Sequence, residues 1–480
     1  MSHDDHGGGL SDRGFHDRGL PKRSLPKRGL SERGLSEHSA SPQGCSEYRH
    51  LSRRRFLGVA GGAVGLAAVP AWLPRVSLAE ETRVHAVSNG TRDVMVSIFL
   101  RGGADGLSLC VPHTDDAYYA LRPTLAIARP DDAAVAAARR TIDLDGTFGL
   151  APALAPLRGA FDDRALAIVH ACGLDHPTRS HFDAMRFVEV GRGDAPLDAG
   201  AGWLSRHLAT SVPMRPDAPL RAVAFGHALP RTLAGAPAAV PIPDAATYGP
   251  RGPAGTMAAW WREIASLYHW TDEPMRSSAR RTADTVELLR TIDAEAYQPS
   301  SGVEYPDDDF GLALRSTAAL LDADIGLEAA SIDLGGWDTH DDQAPVDGAM
   351  ADRMTVLAAG LAAFYRDLEA RAAHRVTVVV HSEFGRNAFE NGSRGTDHGH
   401  AGALFVLGIG GGVAGGRVVT EWPGLDQDQL YEGQDLHVTL DYRDVLGEAL
   451  VKRLGRDDPS GVFDDPTYTW TDRGIFVPHA

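Results

Sequence analysis

The segment Val376–Arg386, VTVVVHSEFGR, decides the fold because a continuous β-branched run leads directly into a polar turn. Such a run predicts a strand that is buried on both faces, which is typical of parallel sheets. A similar strand, Val94–Leu100, leads into the glycine-rich turn Arg101–Gly106, and another, Ala329–Leu334, leads into Gly335–His340. Each strand therefore predicts a polar loop at its carboxyl end.

Helical patterns lie between these strands. Over Asp347–Ala372, apolar residues recur at steps of three and four, which predicts an amphipathic helix. The strand Ala165–Ala171 precedes a helix that we expect to begin near Ser180 and to end at Gly191. Further helices are predicted at 152–163, 256–268, 276–294, 309–324 and 442–454. This alternation predicts an α/β fold with a mostly parallel sheet and helices on both faces.

The first 79 residues have a different composition. Residues 11–40 consist of six pentapeptide units, and we predict that residues 1–51 form a disordered extension. Residues 52–79 combine three consecutive arginines, a short apolar run and small residues at the end, which predicts a signal peptide of the twin-arginine type. An N-terminal anchor that is not cleaved is the alternative.

Residues 85–480 are predicted to form a single domain with an irregular insertion at about 230–255. No segment of this domain is apolar enough to predict a stable membrane span. Cys110 and Cys172 lie in it, and they either form one disulfide or remain two buried thiols.

The charge of the predicted domain is strongly negative. The whole chain has a formal net charge of −17, and residues 1–79 carry 12 Lys and Arg against 7 Asp and Glu, so the remainder has −22. A surface this acidic argues against binding to nucleic acid or to an anionic membrane. Lys452 is the single lysine after residue 79, which gives P-loop and Schiff-base mechanisms almost no basis.

Two short segments offer metal ligands. Asp338 and His340 are separated by one residue, and Asp397, His398 and His400 lie in the glycine-flanked loop GTDHGH. Carboxylate oxygens and imidazole nitrogens are common ligands of divalent metals. Asp338 has an alternative role as a helix cap in a turn.

Other polar residues are expected at the same edge of the sheet. In open α/β sheets, functional groups collect beyond the carboxyl ends of the strands, which applies to Asp105, Asp338, Glu383 and the segment 178–181. Asp105 is either a metal ligand or a residue that tolerates an unusual turn conformation.

Ser180 is expected at the start of a helix, next to Thr178 and Arg179. Free amide groups and the helix dipole stabilise an anion there, and an arginine can hold phosphate or sulfate oxygens. A hydroxyl at this position predicts a nucleophile, whereas an N-capping serine is the alternative. We interpret His181 as a packed or capping histidine.

Six motifs occur in a fixed order along the chain: RGGADGL at 101–107, SHF at 180–182, GGWDTH at 335–340, SEFGR at 382–386, GTDHGH at 395–400 and LDYR at 440–443. Together they resemble the bacterial family called domain of unknown function 1501, from about residue 85 to the C-terminus. Members of that family typically carry twin-arginine signals. The family is similar to a distant branch of the alkaline phosphatase and sulfatase superfamily, which implies an alkaline phosphatase-like fold.

Members of that superfamily hold one or two divalent metals beside a Ser, Thr or modified Cys nucleophile. The resemblance implies that Asp105 is a metal ligand, that Ser180 or Thr178 is the nucleophile, and that Asp338 and His340 are further ligands.

Directly after the strand at 376–380, the resemblance implies that Glu383 takes the place of a ligand aspartate and Phe384 that of a ligand histidine. The GTDHGH loop is then expected to supply the last metal histidine, from His398 or His400, next to Asp397.

The expected function is that of an exported, metal-dependent hydrolase of phosphate or sulfate esters, located in the periplasm or outside the cell. We expect one or two ions of zinc, calcium or magnesium, a small or polymeric ester substrate, and the twin-arginine translocase as a partner during export. The alternative is a non-catalytic binding or scaffold protein on a degenerate hydrolase fold, because Phe384 stands at a ligand position. A redox protein is a third reading, although no haem, iron–sulfur or flavin motif supports it.

Overall fold

Twelve short to medium strands are present in the described part of the chain. The computed structural model describes residues 92–479 except 217, 246–247, 249–262, 264–265, 273–274, 293, 295 and 372–374. The strands are β1 Val94–Arg101, β2 Cys110–Val111, β3 Ile142–Asp143, β4 Gly149–Leu150, β5 Leu166–Gly173, β6 Ala222–Ala224, β7 Ala239–Pro241, β8 Ala329–Gly335, β9 Val376–Ser382, β10 Gly402–Ile409, β11 Arg417–Val419 and β12 Leu440–Asp441. The extension predicted at 1–51, the signal peptide predicted at 52–79 and most of the helix predicted at 256–268 lie outside the described residues.

The α-helices fill the connections between these strands. They are α1 Gly106–Leu109, α2 Asp116–Leu121, α3 Arg158–Asp162, α4 His181–Val190, α5 Trp203–Thr210, α6 Met275–Ile292, α7 Asp309–Asp322, α8 Ala349–Arg371, α9 Tyr442–Lys452 and α10 Ser460–Phe463. The helix predicted at 152–163 is a 3₁₀-helix over Pro152–Leu157 before α3 begins. Pro156 explains this difference, because proline has no amide hydrogen to give to an α-helical bond.

Nine of the described strands form one sheet, in the order β11-β5-β10-β9-β1-β8-β6-β7 with β12 on β5. The central strand β1 pairs in parallel with β8 and with β9, so that Leu100 lies opposite both Leu334 and Ser382. Strand β10 is antiparallel to both of its neighbours, β5 and β9. The predicted mostly parallel sheet is therefore confirmed, with one reversed strand inside it. Strands β2, β4 and β3 form a small second sheet that was not predicted.

Alternate residues of β1 face two different hydrophobic clusters. Val96, Ile98 and Leu100 pack into one cluster together with residues of α7 and α8. Met95 and Phe99 face the other, which contains residues of α4, α5 and α9. The prediction that helices cover both faces of the sheet is confirmed.

The region predicted as an irregular insertion contributes one element to the sheet. Strand β7 lies in it and pairs in parallel with β6 at the edge. Residues 246–247 and 249–255 of the insertion lie outside the described part. Cys110 and Cys172 are buried free thiols, so the disulfide alternative is not observed. Among the described helices, none combines the length and apolar character needed to cross a membrane.

Candidate metal centre

The strand order brings four chain segments to one edge of the sheet. Strands β1, β8, β9 and β5 all end at this edge, and β10, which is antiparallel, begins there. The loops after β8 and before β10 therefore meet the start of α4, which follows β5. This is the edge at which an α/β sheet places its functional groups.

Three histidines surround one carboxylate at this edge. Asp338 Oδ1 lies 3.0 Å from His340 Nε2, 3.2 Å from His398 Nε2 and 3.5 Å from His181 Nε2. His340 Nε2 also lies 3.0 Å from His398 Nε2. His181, Asp338 and His398 each offer a ligand atom within 4.8 Å of the other two.

Each of these histidines is anchored through its other ring nitrogen. Nδ1 of His181 contacts Glu383 Oε1 at 2.8 Å, and Nδ1 of His340 contacts Asp397 Oδ1 at 3.0 Å. Nδ1 of His398 contacts the carbonyl oxygen of Arg179 at 2.8 Å. Because these oxygens only accept hydrogen bonds, each Nδ1 is the donor. In the neutral imidazole Nε2 then carries the lone pair, which is the form that binds a metal.

The protonation preferences at the centre follow from this crowding. Burial acts to raise the pKa of the Asp338 carboxyl, but the three imidazoles and the Arg386 guanidinium outweigh it and hold that pKa far below its usual range. Burial acts to lower the pKa of His181, but the neighbouring carboxylates of Asp338 and Glu383 raise it to about 9. The centre therefore keeps Asp338 ionised and concentrates proton-binding nitrogens around it.

Three of the four side chains, those of His181, Asp338 and His398, have ligand atoms close enough to share one metal ion. Metal–ligand bonds of about 2.0–2.2 Å place neighbouring tetrahedral ligand atoms roughly 3.3–3.6 Å apart. The observed separations of 3.0 to 3.5 Å around Asp338 Oδ1 are close to these values. Nε2 of His181 is buried and has no hydrogen-bond partner, and it lies 3.5 Å from Asp338 Oδ1. A metal ion bound between these atoms would give this nitrogen a partner.

Glu383 and Asp397 each contact Nδ1 of a histidine, the ring nitrogen that does not face Asp338. Glu383 is 1% exposed and also accepts hydrogen bonds from the Gly102 amide and the Ser382 hydroxyl. The side chain of Asp397 is 65% exposed and also accepts a hydrogen bond from Asn391. Carboxylates in this position orient a ligand imidazole and increase its basicity.

Asp105 belongs to a different, fully buried network. Its two carboxylate oxygens contact the Arg122 guanidinium at 2.5 and 3.0 Å, and it also accepts hydrogen bonds from Ser108 and Gln343. Gln343 in turn accepts a hydrogen bond from Thr396. The structure therefore does not bring Asp105 to the histidine group. The network instead ties the loop after β1 to the loops that carry the histidines.

Arg386 connects the same loops closer to the centre. It is 1% exposed and donates hydrogen bonds to Asp338 Oδ1 and to the backbone oxygens of Gly102, Gly103, Trp337 and Thr396. A guanidinium with its donors distributed in this way fixes three loops in one geometry.

His400 is also outside the group. Its ring stacks on Tyr431 with centroids 4.3 Å apart, and both ring nitrogens are buried without a hydrogen-bond partner. Burial lowers the pKa of His400 to about 4, so its imidazole is neutral. Of the two histidines in GTDHGH, only His398 is therefore placed beside Asp338.

Ser180 lies between two residues of the centre. It is the N-cap of α4, and its hydroxyl makes no capping hydrogen bond. Arg179, before it, holds His398 through its carbonyl oxygen, while its guanidinium turns away to Glu432 and Asp435. The Thr178 hydroxyl accepts a hydrogen bond from the Ser180 amide. Of the three residues proposed for catalysis, only Ser180 keeps its polar side-chain group without such a bond.

Comparison with known proteins adds a family assignment. The family model described as "Protein of unknown function (DUF1501)" matches residues 92–448. The chain belongs to this family. The range matched by the DUF1501 model includes every side chain of the histidine group.

No curated protein matches the chain significantly. Among solved structures, the chain is similar to one described as the C-terminal periplasmic domain of EcEptC from Escherichia coli in complex with Zn. The match covers 82% of this chain and 94% of that one, at 11% identity and a TM-score of 0.33. A TM-score this low does not establish a shared fold.

The sequence of this DUF1501 member did not by itself indicate the roles of three residues that build the centre or support its loops. His181 was interpreted as a packing or capping residue, although it follows the loop after β5 and thus reaches the same edge as the other candidates. Arg122 and Arg386 gave no signal, because their partners are distant in sequence. Asp338, His340 and His398 were found because each stands beside a strand that meets this edge.

Proposed function

We propose that the centre binds one divalent metal ion through His181, Asp338 and His398, whose ligand atoms lie within 4.8 Å of one another. His340, whose Nε2 lies 3.0 Å from Asp338 Oδ1, stands beside this set, so that a coordination position stays open for a substrate oxygen. The support is the convergence of three Nε2 atoms on Asp338 Oδ1, with each Nδ1 fixed by an oxygen. Imidazole ligands favour zinc over calcium or magnesium, which prefer oxygen ligands.

We further propose that the protein is an exported hydrolase of phosphate or sulfate esters, with Ser180 as its nucleophile. The observation that carries this proposal is the position of Ser180, whose hydroxyl is free of a capping bond and whose two sequence neighbours both hold the centre. The first amides of α4 have no acceptor within the helix, so they can bind the oxygens of an anionic ester group.

The contribution of each group follows from its contacts. A bound divalent ion supplies Lewis-acid stabilisation of negative charge and makes a nearby hydroxyl more acidic. Glu383, Asp397 and the Arg179 carbonyl keep the three imidazoles oriented. Arg386 holds Asp338 in place. In this proposal the Ser180 hydroxyl acts from the start of α4, one residue before His181. The Arg179 guanidinium can hold a substrate oxygen only if it leaves Asp435.

Export through the twin-arginine translocase, and a location in the periplasm or outside the cell, form part of the same proposal. The support is the arginine cluster and apolar run at 52–79. A small or polymeric ester substrate is compatible with an edge at which the His340 and Asp397 side chains are 29% and 65% exposed.

A non-catalytic binding protein is the second candidate. It is favoured by Phe384, whose ring packs against the rings of His181 and His398 with centroids 5.0 and 4.9 Å apart, and by the pairing of Arg179 with Asp435. Such a protein would use the metal centre to bind an anion without turnover.

A hydrolysis assay distinguishes the two candidates. The purified, zinc-loaded protein is expected to hydrolyse an aryl phosphate or an aryl sulfate, and Ser180→Ala is expected to reduce kcat by at least about a hundredfold while the metal content stays unchanged. Ser301→Ala, at an exposed serine far along the chain, is the matched control. A metal-loaded protein that binds these esters but does not turn them over would support the binding protein instead.

A further inference from the structure

A cavity of about 310 Å³ lies at the opposite edge of the sheet from the metal centre. It is lined by the residues that immediately precede β1, β8 and β9, among them Arg92, Leu327 and Arg375. Strand β1 has eight residues, so the two edges are roughly 25 Å apart at about 3.3 Å per residue. The cavity is therefore separate from the proposed hydrolase site.

The described lining of this cavity carries an excess of positive charge. Arg92, Arg215 and Arg375 contribute three guanidinium groups, and Asp324 contributes one carboxylate. The Arg215–Asp324 pair, at 2.6 Å, has side chains that are 51% and 82% exposed, so it contributes little to the local field. Positive charge is unexpected here, because the whole chain has a formal charge of −17.

Arg92 lies near the buried Glu328 carboxylate, which is already bonded to another arginine. Its nearest Glu328 oxygen is 3.5 Å away, and both oxygens of Glu328 are already bonded to Arg221 at 2.6 and 3.0 Å. Arg92, Arg221 and Glu328 have side chains that are 10%, 6% and 4% exposed. Two largely buried guanidinium groups therefore share one carboxylate, which leaves a positive charge where water screens it poorly.

In the described part of the chain, Arg375 contacts an imidazole and not a carboxylate. Nε2 of His479 contacts the carbonyl oxygen of Arg453 at 3.1 Å, so Nε2 is the donor of that bond. Nδ1 of His479 then accepts the bond from Arg375, at 3.2 Å. Nε2 of His479 also lies 3.2 Å from Asp93 Oδ1, and that carboxylate is bonded to the Arg453 guanidinium. Among the described residues, the direct partner of Arg375 is therefore an imidazole rather than a carboxylate.

The rest of the described lining includes apolar side chains. Among them, Met214 is 43% exposed, whereas Leu320 and Leu321 are buried. The volume is at the low end of ligand-binding cavities. We propose that this cavity binds a small amphiphilic anion, with its phosphate or carboxylate group at Arg92 and Arg375 and a short aliphatic part against Met214.

Titration calorimetry tests this proposal on the full chain. The probes are octyl phosphate and octanoate. Octanol, which lacks the charge, and inorganic phosphate, which lacks the aliphatic chain, are the control probes. All titrations use the His398→Ala variant, so that a phosphate cannot bind at the metal centre. We expect one site for at least one of the two amphiphilic anions, weakened by added salt, and weaker or no binding of octanol and inorganic phosphate.

Substitution of the arginines completes the test. Arg92→Gln and, independently, the exposed Arg375→Gln are each expected to weaken binding about tenfold or more. Arg280→Gln, at an 84% exposed arginine of α6, should leave it unchanged. The proposal is overturned if neither amphiphilic anion binds, if octanol binds as tightly, or if both cavity variants bind like the parent.

Discussion

His181, His340 and His398 show how single residues prepare this centre. Each uses Nδ1 to donate a hydrogen bond to a fixed oxygen and directs Nε2 towards Asp338. Two of the three acceptors are carboxylates, which strengthen the neighbouring imidazole as a ligand. If the proposed centre binds a metal, its affinity is expected to depend on residues that do not contact the ion.

Substitution of Glu383 tests this dependence. Glu383→Gln removes the charge that anchors His181 while keeping the size of the side chain. We expect metal affinity to fall about 10- to 100-fold, measured by competition with a chromophoric chelator. Glu304→Gln, at an exposed glutamate, is the control and should not change the affinity. Equal affinities of the Glu383→Gln variant and the parent would show that Glu383 only fills space.

Some residues of the site could be predicted from the sequence, and others could not. The types and spacing of Asp338, His340 and His398 indicated a metal centre, because few other roles bring these groups together. Spacing could not separate His398 from His400, since only the fold shows that one ring meets Asp338 and the other meets Tyr431. The sequence also could not predict that Arg122 is the buried partner of Asp105, because Arg122 stands in another element.

At the scale of elements, the loops after β1, β8 and β9 are held together by close backbone contacts. Gly102, just beyond β1, has a φ of +125°, and a Cβ atom there would lie 2.6 Å from the Asp338 amide nitrogen. Arg386 then bonds to the backbone of both loops. The position of Asp338 therefore depends on the absence of a side chain at residue 102.

Gly102→Ala is expected to weaken both stability and metal binding. The unfavourable φ alone costs about 1–3 kcal/mol, and the clash pushes the Asp338 loop away from the histidines. Denaturant unfolding and metal competition measure the two effects. Gly159→Ala, in α3 with open space around it, should have little effect on either. Unchanged metal affinity in Gly102→Ala would mean that the loop tolerates a shift of this kind.

The packing of α8 provides a pH-dependent test of another element. Asp367 in α8 is buried and accepts hydrogen bonds from the Ser300 amide and from the hydroxyls of Tyr297 and Tyr305. Burial acts to raise its pKa, but these donors hold the pKa below its ordinary value. A lowered folded-state pKa stabilises the protein above the unfolded-state pKa of about 3.9, and this stabilisation is lost as the pH falls through the folded-state value.

Asp367→Asn should therefore destabilise the protein by roughly 1–3 kcal/mol at pH 7. The difference from the parent should shrink below about pH 4. Urea unfolding at pH 7 and at pH 3 measures it, and the exposed Asp307→Asn is the control. A difference of the same size at both pH values would show that charge is not the cause.

The elements themselves were largely predictable, for reasons that differ along the chain. Strands β1 and β9 are continuous apolar runs that are buried on both faces, so local composition identifies them. The reversed direction of β10 was not predictable, because its apolar pattern is the same in either orientation. The two-residue strands β2 and β3 are too short to leave a periodic signal.

At the scale of the whole molecule, the two edges of one sheet differ in chemistry. The carboxyl edge gathers imidazoles around a carboxylate, and the amino edge gathers guanidinium groups around an open cavity. The DUF1501 family model matches residues 92–448, and this range contains the residues of both edges. The proposed hydrolase activity concerns only the carboxyl edge.

Elemental analysis of the purified protein tests the central claim most directly. After incubation with zinc and removal of free metal, the parent is expected to retain about one zinc ion per chain, and His181→Ala and His398→Ala are expected to retain little. His227→Ala, outside the group, should retain the parent amount. A parent protein that retains no divalent metal, or a His398→Ala variant that retains as much as the parent, would contradict the assignment of this centre.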